Sequence, residues 1–106
     1  MNIIPIVNTD VTIKFHNLAK KWKEETLLTS SVNEIESNQS YLDIVDMGEK
    51  VLPFIFQDLK SEPAFWFHAL EEITRYNPIK YAHRGFVKLM VEDWLKWRNE
   101  HGYRYI

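Results

Sequence analysis

Residues 51–76 read Val51-Leu-Pro-Phe-Ile-Phe-Gln-Asp-Leu-Lys60-Ser-Glu-Pro-Ala-Phe65-Trp-Phe-His-Ala-Leu70-Glu-Glu-Ile-Thr-Arg-Tyr76. The run from Val51 to Leu59 is apolar around most of a helical circumference, the pattern of a central helix. A buried strand is the rival reading, but Gln57-Asp58 and the spacing downstream favour helix. Pro53 lies close enough to the start that its missing N–H costs little. Ser61-Glu62-Pro63 then marks a new beginning: a capping Ser, an acid in the first turn and Pro among the first helical positions. Phe65, Trp66, Ala69, Leu70, Ile73 and Tyr76 form the packing face of the helix that follows, and Asn77-Pro78 stops it.

The pattern extends outward in both directions. Phe15, Leu18, Ala19 and Trp22 make a stripe at i, i+3, i+4 and i+7, with Lys20, Lys21, Lys23 and Glu24 off it, so an amphipathic helix ending near Leu28 is expected. Ser31 with Glu34 matches a capping box ahead of a short helix carrying Val32 and Ile35. Ser40 is expected to cap a helix carrying Tyr41, Leu42, Ile44, Val45 and Met47, with Gly48 as its left-handed C-terminal cap. Residues 78–84 read as a loop. A last helix is expected from about Gly85 to Glu100, with Phe86, Val87, Met90, Val91, Trp94 and Trp97 inward and Lys88, Glu92, Asp93 and Lys96 outward. Residues 1–12 alternate weakly and contain Pro5, which suggests an extended arm or short edge strand. The expectation is a single all-α domain over residues 1–106, with five or six helices and an N-terminal arm at 1–12.

The bulk composition agrees. A chain of 106 residues has room for one hydrophobic core, and 45% apolar with 26% charged residues is ordinary for a folded protein. Aromatics make up 14%, and each buried ring removes about 150–250 Å² from water, so few other residues are needed to fill the interior. There is no Cys, which rules out disulfides and Cys-based zinc sites. The net charge of −2 argues against a chain whose main role is coating nucleic acid. Residues 1–53 carry −3 and residues 54–106 carry +1, too mild a split to assign a partner. Met1-Asn-Ile-Ile-Pro-Ile-Val lacks a basic n-region and a small-residue cleavage site, so it does not read as a signal peptide. No run approaches the roughly 18 apolar residues that cross a bilayer. No membrane partner is expected, and the expected location is the cytoplasm.

A resemblance follows from Tyr41-Leu-Asp-Ile-Val-Asp-Met-Gly48, Val51-Leu52-Pro53, Leu59, Pro63, Trp66-Phe67, Ala69-Leu70 and Ile73-Thr74. This order is similar to the two-helix unit of HEAT-like repeats, in which a Gly precedes an apolar-Leu-Pro opening and an Ala-Leu pair sits in a packing face. The wider pattern of Trp22, Glu25-Thr26, Ser30-Ser31, Met47-Gly48, Leu52-Pro53, Trp66-Phe67, Asn77-Pro78, Trp94-Leu95, Trp97 and Gly102-Tyr103 resembles a family of short bacterial helical proteins. The resemblance implies a fold and a bacterial or phage source. HEAT arrays need about three repeats to bury their faces, so flanking helices are expected to cap the single unit here.

Motifs for chemistry are weak. His68 with Glu71 or Glu72 gives i, i+3 and i, i+4 neighbours that could form an acid–base pair or two metal ligands. A zinc site needs a third ligand, and no His-Glu-x-x-His marks one, so a solvated helix face is the better reading. Adjacent acids such as Glu24-Glu25 and Glu92-Asp93 do not face each other on a helix and suit surface ion pairing. No phosphate-binding glycine loop and no Ser–His–Asp arrangement is marked. The expectation is a non-enzymatic chain without cofactor or metal.

The most suggestive stretch is residues 75–88, with four formal positive charges, one His, two Tyr and no acid. Basic residues interleaved with aromatics can meet an acidic protein surface or hold phosphates and stack bases. A solvated loop is the plain alternative. Arg75, Lys80, Tyr81, Arg84 and Lys88 are therefore the candidate partner-binding residues. Trp94 and Trp97 suit the core, while Tyr103 and Tyr105 in the tail are candidates for docking on a partner or on a second copy of the chain. The leading expectation is a bacterial protein-interaction module, by analogy an antitoxin, immunity-type inhibitor or adaptor. A nucleic-acid-binding regulator using the 75–88 loop is the alternative.

Overall fold

The computed structural model describes residues 6–61 and 63–102, with backbone alone for residues 6–9 and 64. Its regular elements are α1 (Ile6–Glu25), α2 (Val32–Glu36), α3 (Gln39–Asp46), α4 (Leu52–Asp58), α5 (Pro63–Thr74) and α6 (Val87–Glu100). Short 3₁₀ turns occupy Gly48–Val51 and Tyr81–His83. The described residues contain no strand, so the fold is all-α. The chain divides between Val51 and Leu52 into two compact units.

In the first unit, α1 lays its stripe on α3. Phe15, Ala19 and Trp22 from α1, Ile35 from α2, and Tyr41 and Ile44 from α3 are buried. Each large apolar side chain removed from water contributes about 1.5–3 kcal/mol. Trp22 also joins two other elements: its ring centroid lies 5.0 Å from that of Tyr41, and its Nε1–H donates to Ile35 O at 3.0 Å.

The sequence misleads at 6–12, where α1 replaces the expected extended arm. Val11 sits four residues before Phe15, so the packing stripe reaches one turn further back and overrides the strand preference of β-branched residues. Residues 1–5 of that arm lie outside the described residues. At the other end, Thr26 N–H and Oγ1 both donate to Trp22 O, at 3.0 and 2.8 Å, and α1 ends at Glu25 rather than near Leu28.

Two caps differ from expectation. Ser31 Oγ accepts from Glu34 N–H at 3.2 Å, but the Glu34 carboxylate takes the Thr29 hydroxyl at 2.6 Å, so only half of the capping box forms. Asn38, not Ser40, caps α3, because its Oδ1 accepts from Ser40 N–H at 2.9 Å and Tyr41 N–H at 3.3 Å. Ser40 is buried inside the helix and donates to Glu25 Oε1 at 3.5 Å. Gly48 ends α3 as expected, at φ +73°, where a residue without Cβ is not strained.

In the second unit, α4 contributes Leu52, Ile55 and Phe56, with Leu59 just beyond it, and α5 contributes Trp66, Ala69 and Leu70. From α6 comes Trp94, whose ring centroid lies 6.4 Å from Phe56 and 5.7 Å, edge-on, from Trp97. Trp66 Nε1–H donates to Asp58 Oδ2 at 2.7 Å, tying α5 to the end of α4. Ser61 Oγ donates back to Asp58 O at 3.0 Å, and Glu62, in the expected first turn, lies outside the described residues. Pro63 opens α5 where no N–H is required.

Four side chains on or beside the last two helices depart from the pattern. Tyr76 lies past the end of α5 and is exposed, because Arg75 turns left-handed at φ +59° and breaks the helix first. Phe86 and Val87 at the start of α6 are exposed rather than inward. Asp93, expected outward, is buried. No helix among the described residues is long and apolar enough to cross a membrane.

Candidate functional site

The connection between α5 and α6 runs from Arg75 to Phe86, and its backbone is held by side chains rather than by a neighbouring strand. Thr74 Oγ1 donates to Leu70 O at 2.7 Å and accepts from Tyr76 N–H at 3.2 Å. Asn77 Oδ1 accepts from Ile79 N–H at 3.0 Å, folding the chain around Pro78. Gly85, at φ +86°, turns the chain into α6.

The strongest tie comes from Asp93. Its Oδ2 accepts from Lys80 N–H at 3.1 Å and from His83 Nδ1 at 2.7 Å. An ionised carboxylate only accepts, so the proton of this contact sits on His83 Nδ1. The side chain of Asp93 is 8% exposed and that of His83 26%. Burial pushes the Asp93 carboxyl up, and the hydrogen bonds from His83 and Lys80 N–H, with the charges of His83 and Lys80, more than offset it. The net effect holds Asp93 below its ordinary value, so it is an anion at neutral pH.

Fixing Lys80 and His83 from beneath leaves their neighbours facing solvent. Tyr81 is 80% exposed and Phe86 62%. The Arg84 guanidinium carbon lies 5.4 Å from the centroid of the Tyr81 ring, a cation–π contact on the surface. Arg75, Lys80 and Lys88 are also exposed. Arg75, Lys80, Tyr81, Arg84 and Lys88 thus share one ordered, solvent-facing segment. Tyr103 and Tyr105 lie outside the described residues.

No protein-family model, curated protein or solved structure matches this chain. The geometry of the segment and its surroundings therefore carries the functional reading.

Beside this segment α6 borders an open cleft of about 520 Å³. Asp93 and Lys80 line it, and one wall is Trp97 stacked on His101 with ring centroids 4.1 Å apart. His101 Nδ1 donates to Trp97 O at 2.8 Å, which fixes the stack. Lysines 80 and 96 and the carboxylates of Asp93 and Glu100 balance its charge, so it selects for neither sign.

The other sequence candidates do not join this region. His68, Glu71 and Glu72 are exposed on α5 and do not line the cleft. Among the described residues no three His, Asp or Glu side chains come together as a metal site. Asp93 is the residue that sequence reasoning missed. It stands three residues after Met90 and four before Trp97, on the face that carries the apolar stripe, and that spacing was the available signal.

Proposed function

We propose that this chain is a non-enzymatic protein-interaction module that presents residues 75–88 to an acidic surface on another protein. The observation that carries the reading is the exposure of Tyr81 and Phe86 beside Arg84 and Lys88 on a backbone held by Asp93. Exposed aromatics on a mobile loop must be ordered on binding, at about 0.5–1.5 kcal/mol for each side chain immobilised. A segment already held by buried hydrogen bonds avoids much of the backbone part of that cost. Tyr and Arg are the residue types that most often dominate binding energy, and the four cations steer an acidic partner.

An enzymatic role has less support. A carboxylate holding a histidine is one half of a general-base arrangement, but it needs a nucleophile or bound substrate within reach of the other ring nitrogen. The two bonds to Asp93 are accounted for by their role in fixing the connection. By analogy with small bacterial helical proteins, and in keeping with the HEAT-like pattern of 41–76, an antitoxin, immunity-type inhibitor or adaptor acting in the cytoplasm is the role this surface suits.

One observation favours a second reading. The Arg84–Tyr81 pair on a segment without acids suits phosphate contact and base stacking, which would make the chain a nucleic-acid-binding regulator. Affinity capture at low and high salt, with and without nuclease, separates the two. A protein recovered in near-equal amount at both salts and insensitive to nuclease supports the interaction reading. Nucleic acid recovered at low salt alone would replace it with the second.

A further inference from the structure

Among the described residues nine large apolar side chains are exposed, and seven of them fall on two short segments; Ile13 and Leu42 are the others. One segment is the 75–88 surface, with Tyr76, Tyr81, Phe86 and Val87. The second runs from the end of α1 into the first residue of α2, where Leu27 is 77% exposed, Leu28 98% and Val32 54%. Single exposed apolar residues need no explanation, but three within six residues form a patch of the kind that marks a contact surface.

The charges of the two segments are opposite. Residues 24–36 carry Glu24, Glu25, Glu34 and Glu36 and no base, while residues 75–88 carry four bases and no acid. Lys23 directly precedes this segment, one helical turn before Leu27, and Lys20 and Lys21 lie nearly two turns back on α1. Both segments are also held in shape. The Thr29 hydroxyl donates to Glu34 at 2.6 Å, Ser31 N–H donates to Thr29 Oγ1 at 3.2 Å, and Asn38 Nδ2 donates to Glu25 at 3.1 Å. An exposed apolar segment flanked in sequence by four acids and Lys23 therefore stands on the same chain as an exposed apolar segment carrying four bases.

We infer that the partner of the 75–88 surface is a second copy of this chain, docking through its Leu27–Leu28–Val32 patch. The inference rests on the reading of 75–88 as a protein-binding surface and names its occupant. The contact joins two different patches: made twice by a pair of chains about a two-fold axis it is isologous, and extended by successive chains it is heterologous. The aromatic side of the contact covers the leucines, and the carboxylates of Glu24 and Glu36 meet Arg84 and Lys88 at the rim.

Sedimentation equilibrium of the full chain at low and high salt tests this. The wild type is expected to show a mass of two chains or more, with association weakening as salt rises. Leu28→Asp, at a fully exposed position that does not support the fold, is expected to weaken association by about tenfold to a hundredfold. Glu24→Lys with Glu36→Lys, and separately Arg84→Glu with Lys88→Glu, are each expected to dissociate the assembly. An equimolar mixture of these two variants is expected to reassociate, because one native contact and one charge-swapped contact form between them.

A single-chain mass up to about 1 mM at low salt would overturn the inference, since it would leave less than about 4 kcal/mol for the contact. Self-association unchanged by Leu28→Asp would overturn it equally. A monomeric chain that still retains an acidic protein through Arg84 and Lys88 overturns this inference and leaves the interaction reading standing.

Discussion

His83 and Asp93, ten residues apart, meet at 2.7 Å through Nδ1 and Oδ2, and this contact anchors the α5–α6 connection to α6. The same oxygen holds Lys80 N–H at 3.1 Å, so one buried carboxylate fixes both ends of the Tyr81–His83 turn. The exposed side chains of 75–88 take their arrangement from a residue that is itself buried.

Asp93→Ala removes the acceptor for both groups and leaves Lys80 N–H without its partner. The expected loss is about 1–3 kcal/mol of stability in a denaturant titration. Amide exchange at Lys80 is expected to accelerate by more than the global loss explains, because the connection loosens locally. Exchange slowed or unchanged at Lys80 would show that Asp93 does not hold the segment.

The Asp93 carboxyl lies below its ordinary value in the folded chain. Its unfolded value is about 3.9. Between the two values the unfolded chain binds more protons, so stability rises with pH there. The contribution is present in full above about pH 5 and is lost as pH falls through the unfolded and then the folded value. Stability profiles of the wild type and Asp93→Asn are therefore expected to run parallel above about pH 5 and to converge in acid. Parallel profiles throughout would contradict the assignment.

Arg75 occupies the left-handed region at φ +59° at the end of α5, with its N–H donating to Glu71 O at 2.8 Å. A side chain with Cβ is strained there by about 1 kcal/mol, and glycine is not. Arg75→Gly is expected to raise stability by about 0.5–1 kcal/mol, after the entropy glycine adds to the unfolded chain. The same variant removes a cation from the proposed partner surface and is expected to weaken binding. Thermal melts and binding measured on one preparation check that opposition.

The tryptophans of the second unit differ in the polar partner of the indole. Trp66 Nε1–H donates to Asp58 at 2.7 Å, whereas the buried Nε1 of Trp94 meets no acceptor among the described residues. Trp66→Phe loses a hydrogen bond to a charged group as well as packing. It is expected to cost about 1–2 kcal/mol more than Trp94→Phe, measured by denaturant midpoint. Equal losses would mean that the bond to Asp58 adds nothing.

Much of the helical order was legible because apolar spacing repeats wherever a helix packs. Phe15, Ala19 and Trp22, or Trp66, Ala69 and Leu70, declare their faces without help. Positions where a side chain competes with the backbone were not legible. Asn38 capped α3 in place of Ser40 because either residue type can cap, and only the path of the chain selects one. Residues 6–12 became helix because packing of the stripe outweighed β-branched preference, which no local rule weighs. Of the candidate surface, Arg75, Lys80, Tyr81, Arg84 and Lys88 could be named from composition. Asp93 could not be named from composition: its spacing from Met90 and Trp97 placed it on the apolar face, but a charged residue beside an acidic neighbour reads as solvated unless a partner such as His83 is known to reach it.

The central claim is that residues 75–88 form a protein-binding surface. Parallel affinity capture with the wild type and with Arg84→Glu/Lys88→Glu, nuclease-treated and quantified by mass spectrometry, tests it most directly. The account predicts one protein, this chain or another, retained in near-equal amount by the wild type and at least about tenfold depleted with the variant. Equal recovery by both forms would contradict it.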